Sequence, residues 1–87
     1  MNIPLREVID EMNPEALVLP KEFDPALIGY TKQWNGPVLA VYKSDLIIEI
    51  LVTGEESLSE EDAWEHYYFN IEGSYLGEHT PLFMHSV

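Results

Sequence analysis

The sequence predicts an α+β domain, and three patterns carry that prediction. An amphipathic run follows Pro4, two β-like runs flank Asn35-Gly36, and an aromatic helical pattern starts on acids after Ser59. The expected architecture is a small antiparallel or mixed sheet packed by helices. The sheet contains a hairpin over about 27–42 and a C-terminal strand over about 82–85. Helices cover about 4–13, 45–53 and 59–72.

Each element has a local reason. Pro4 suits the first turn of a helix, where its missing N–H is no loss. Leu5, Val8, Ile9 and Met12 then recur at helical spacing opposite Glu7, Asp10 and Glu11. Pro14 disfavours the α conformation at Asn13 and ends the helix there. Ala16–Leu19 is a short extended candidate closed by Pro20, and Lys21–Pro25 reads as loop. Leu27–Lys32 and Val38–Tyr42 are the two arms of a hairpin. Asn35-Gly36 between them tolerates positive φ, and Pro37 belongs at a strand start, where it need not donate to the ladder.

Residues 45–53 are β-branched enough for a strand. A helix is favoured because Ser44 or Asp45 can cap it and Gly54 can end it. Leu46, Ile47, Ile50 and Leu51 share one helical face, which Ile48 and Val52 widen. Ser59 with Asp62 three residues on resembles a capping box. Glu60, Glu61 and Asp62 fill the first turn, where the helix dipole favours negative charge. Trp64, Tyr67, Tyr68 and Ile71 form the expected inward stripe, and Gly73 a natural C-cap.

The 87 residues make one domain, of modest stability at this length, and a homodimer interface would add to it. Hydrophobic residues make up 46% of the chain, and ten aromatics separate it from acidic disordered chains. There is no cysteine, so a disulfide framework, a thiol nucleophile and cysteine-ligated metal sites are excluded. The opening stretch MNIPLREVIDEM mixes acids among its apolar residues and does not fit a secretory signal, so a cytoplasmic location is expected. The longest apolar run, Leu46–Val52, is interrupted by Glu49 and is too short to span a bilayer.

Charge is the most informative bulk property. Sixteen acids face four bases, for a formal net charge of −12. Arg6, Lys21, Lys32 and Lys43 all lie in the first half, whereas Ser44–Val87 holds ten acids and no Lys or Arg. Such a segment cannot neutralise phosphates, so direct nucleic-acid binding and anionic membranes are disfavoured. It attracts basic proteins, or imitates a phosphate backbone toward a DNA-binding protein.

No nucleotide-binding glycine loop or G-x-S-x-G elbow is present. His66, His79 and His85 form no H-x-x-x-H pair. A small metal-binding or hydrolytic domain would have to use His66 and Glu65, with His79 brought close by the fold. The carboxylates Glu55, Glu56, Glu60, Glu61, Asp62 and Glu65 fall in a loop and a first helical turn, where solvation is the default. No catalytic residue and no cofactor are assigned. Those six acids are instead the expected contact surface for a basic protein partner. Trp34 at the hairpin tip and Phe69, off the inward stripe, are the aromatic anchors.

The stretch FNIEGSYLGEHTPLF carries Phe69, Asn70, Gly73, Gly77, Thr80, Pro81 and Phe83 in the pattern F-N-x-x-G-x-x-x-G-x-x-T-P-x-F. It resembles the C-terminal end of short uncharacterised proteins encoded by phages and bacteria. VLAVYKSDLIIEILV and SEEDAWEHYYFN are similar to the strand, helix and acid-started helix of that group. The resemblance covers roughly Ile28 onward. It implies a helix over 45–53 and a phage or mobile-element origin, and it supplies no activity. The motif also has a structural reading. Asn70 would cap carbonyls at the helix end, Gly73 and Gly77 would permit a reversal, and Thr80-Pro81 would start an extended return.

The functional expectation is therefore a non-enzymatic acidic binding protein, such as a phage-type inhibitor or DNA mimic acting on a basic partner. The alternatives are the His66/Glu65/His79 domain and a structural accessory subunit.

Overall fold

The computed structural model describes residues 3–32, 34, 36–55, 57–74 and 76–85. Helix α1 (Leu5–Met12) begins after Pro4, whose carbonyl accepts from the Glu7 and Val8 N–H groups at 3.0 and 3.2 Å. It ends at Asn13, which is extended ahead of Pro14. Strands β1 (Leu27–Lys32) and β2 (Val38–Lys43) pair antiparallel, so the expected hairpin is present. Asn35 of its turn lies outside the described residues. Pro37 directly precedes β2, as expected of a residue with no N–H for the ladder.

The chain passes from β2 straight into α2 (Ser44–Thr53), then through α3 (Glu60–His66) and a π-helical segment (Tyr67–Glu72) to β3 (Leu82–Met84). β3 pairs parallel to β2, giving a mixed sheet in the order β1-β2-β3. Both helices of the β2-to-β3 connection serve as the crossover that a parallel pair requires.

One sheet face makes the core. Leu27, Tyr42 and Phe83 are register partners, and with Ala40 they meet Ile9 of α1 and Ile47, Ile48 and Leu51 of α2. Ala63 of α3 and Tyr67 of the π-helical segment close the core. The other face carries Thr31, Leu39, Val41, Leu82 and Met84. It is open near Gly29, where an added Cβ would meet no atom within 4 Å.

Four expectations need correction. Lys21–Ala26 is a 3₁₀ helix rather than loop. Its three-residue repeat puts Phe23 and Ala26 on one side, and both are buried. Ala16–Leu19 joins no strand; its N–H groups go to the His79 carbonyl (from Leu17, 3.1 Å) and the Tyr42 hydroxyl (from Leu19, 2.8 Å). Neither Ser44 nor Asp45 caps α2. Lys43 takes the cap position without a side-chain bond, and Ser44 is fully buried inside the first turn.

The fourth correction concerns Tyr68, which is 49% exposed rather than inward. The helix widens after His66, and the Gly73 N–H reaches the Tyr68 carbonyl five residues back at 3.0 Å. Tyr67 lies in the core and Tyr68 at its margin. Gly73 is required by this close approach, since a Cβ there would lie 2.5 Å from the Tyr68 oxygen. Gly77 is required by its backbone, at φ 109°.

Candidate functional site

The acidic turn forms as its residues dictate. Ser59 Oγ accepts from the Asp62 N–H at 3.1 Å, and the Ser59 carbonyl accepts from the Ala63 N–H at 2.8 Å. Glu60, Glu61 and Asp62 then stand at the positive end of α3, all exposed, with Glu65 exposed one turn on. Among the described residues none of these four, nor Glu55, is paired with Lys, Arg or His. Glu56 lies outside the described residues. Of the two expected anchors, Trp34 is 94% exposed and Phe69 75%.

The His66/Glu65/His79 arrangement does not assemble. The ring of His66 meets Asn70 Nδ2 at 3.3 Å, so Asn70 serves the imidazole rather than helix-end carbonyls. His79 is fixed elsewhere. Asn13 Nδ2 lies 3.1 Å from its Nδ1, and Glu15 lies 3.4 Å from its Nε2. No group of three or more His, Asp or Glu converges for a metal among the described residues.

A groove of about 360 Å³ opens where the 3₁₀ helix, the end of α2 and the π segment meet. Its floor is apolar, from Phe23, Leu51 and Ile71. Glu22, Glu55, His66 and Asn70 line it as well. A smaller hollow of about 230 Å³ lies between α1 and residues 16–18. Arg6 borders it and is committed to Asp24, its Nη2 at 2.6 Å, and to the Leu19 carbonyl. The bond to Asp24 raises the Arg6 pKa further above its already high ordinary value.

The sequence reading missed a chain of bonds that fastens β3. Ser44 Oγ lies 3.1 Å from His85 Nδ1, and His85 Nε2 lies 2.5 Å from Glu72 Oε1. The Tyr67 hydroxyl donates to the same oxygen at 3.3 Å. A ring protonated on Nε2 serves both partners, since it accepts from the serine and donates to the glutamate. Burial and the Glu72 carboxylate together push the Tyr67 hydroxyl well above the usual tyrosine range. Serine, histidine and glutamate also make a nucleophile triad, but here Ser44 is fully buried and cannot meet a substrate. The chain is structural. No short-range spacing could have revealed it, because Ser44 and His85 are 41 residues apart.

No helix among the described residues is long and apolar enough to cross a membrane. No protein-family model matches the chain, and no curated protein or solved structure does either.

Proposed function

We propose that this chain is a non-enzymatic acidic binding protein that docks on a basic protein, in the manner of a phage-type inhibitor or DNA mimic. The observation that carries the reading is the turn Glu60-Glu61-Asp62 with Glu65, exposed and without a cationic partner among the described residues. Carboxylates held by a capped helix are positioned without being neutralised, as an electrostatic contact surface requires. Glu55 adds charge from the neighbouring loop. Phe69 and Trp34 offer apolar area for the partner to cover.

The test is affinity capture from bacterial lysate with the natural chain and with the triple variant E60Q/E61Q/D62N. The expected captured proteins are basic and nucleic-acid-binding, are released as salt is raised, and are lost with the triple variant. Capture that withstands salt and persists with the variant would sink the reading.

A further inference from the structure

We infer that the groove between the 3₁₀ helix, the end of α2 and the π segment receives an arginine side chain of the basic partner. This inference rests on the acidic-binding reading above and gives it a specific contact.

The groove selects by charge first. Glu22 enters from the 3₁₀ helix and Glu55 from the turn after α2. Both are exposed, and neither has a cationic partner among the described residues. Among the described residues no Lys or Arg lines the groove. A carboxylate or phosphate ligand would face two like charges on a chain of net charge −12. A cation meets the opposite situation.

The groove selects by shape second. Its floor of Phe23, Leu51 and Ile71 is apolar, so a bare metal ion or small ammonium would leave it empty. A long basic side chain lays its methylene stem on such a floor and keeps its charged head among the polar groups. Its size, about 360 Å³, is at the small end of ligand pockets, suited to one side chain rather than a whole cofactor. Asn70 and His66 separate arginine from lysine. Asn70 Nδ2 is engaged with the His66 ring, which leaves the amide oxygen as an acceptor beside the two carboxylates. Acceptors on three different elements suit a planar guanidinium with five donors better than a compact ammonium. Asp62 stands one helical turn before His66, so this acid of the turn and the groove lie along one side of α3.

The test is a nuclear magnetic resonance titration of the labelled full chain with N-acetyl-arginine amide, against its neutral isostere N-acetyl-citrulline amide. The arginine probe should shift Phe23, Gly54 and Ile71 together, and the citrulline probe should bind about fivefold more weakly or less. The variant E22Q/E55Q, which alters only exposed side chains, should lose the arginine preference while its spectrum stays folded. Equal binding of the two probes, or an arginine preference that survives E22Q/E55Q, would overturn the inference. Shifts confined to Glu60–Glu65 would overturn the groove and leave the acidic-face reading standing. Groove shifts that persist while salt-sensitive capture is absent would overturn that reading instead, and with it the partner assigned to the groove.

Discussion

The helical segment from Glu60 to Glu72 has an acidic end and an aromatic end, and the two are held in different ways. The acidic end is made by its own residues: Ser59 caps it, and the three acids that follow touch no cation among the described residues. The aromatic end is made by distant partners. Tyr67 is fully buried, edge-on to Phe83 of β3 at 5.7 Å and to Trp64 at 5.7 Å. Glu72 is held by His85, and Tyr68 stacks on the same ring with an interplanar angle of 8°. The fold therefore depends on the aromatic end, while the charge of the acidic end is left free for something else.

Tyr67→Ala is the strongest way to break that comparison. It empties a fully buried aromatic site, and such truncations cost about 3–5 kcal/mol. Against the roughly 5–15 kcal/mol of a typical domain, and less for one this small, the variant should be largely unfolded by circular dichroism at room temperature. A folded variant with a small loss would mean that the aromatic end is not the fastening. His85→Ala comes next. It leaves the buried Ser44 hydroxyl without its partner and releases Glu72, for about 1–3 kcal/mol in urea unfolding. A loss below about 0.5 kcal/mol would reduce the Ser44–His85–Glu72 chain to a surface contact.

The smallest effect at neutral pH comes from the tyrosine hydroxyls. Burial raises both Tyr42 and Tyr67 above the ordinary value of 10.0. The folded chain thus holds protons that the unfolded chain releases. This contribution is complete below about pH 10 and is lost as pH rises through the raised values, so stability falls on the alkaline side. In an absorbance titration, Tyr42 and Tyr67 should ionise only as the circular dichroism signal collapses. Ionisation of all five tyrosines before any loss of structure would place these two outside the core.

The same contrast explains what was legible in the sequence. Ser59–Asp62, Pro37 before β2 and Gly54 after α2 are governed by neighbours a few residues away, and each stands where its local chemistry requires. The exposure of Trp34 was legible too, from its place in a turn; helical spacing put Phe69 off the inward stripe and left open whether the C-terminal segment covers it, and it is exposed. Features set by remote partners were not legible. Ser44 looks like a helix cap until His85 claims its hydroxyl. Tyr68 shares the helical spacing of the inward stripe, yet it lies at the margin of the core, stacked on Trp64 and on the remote His85. Lys21–Pro25 reads as loop, yet the segment is a 3₁₀ helix whose Phe23 and Ala26 are buried against the core. The groove escaped for the same reason, since its lining residues come from segments as far apart as Leu19 and Ile71.

The central claim is that the charge of the acidic turn is spare to the fold and available to a partner. Thermal unfolding of E60Q/E61Q/D62N alongside the natural chain tests it most directly. Exposed dipole interactions are worth about 0.3–1 kcal/mol each, and their loss is offset by relief of repulsion among adjacent acids. The account predicts a melting temperature within a few degrees of the natural chain and a loss of salt-sensitive binding to basic proteins. A variant that melts far earlier, or one that keeps its binding, would contradict it.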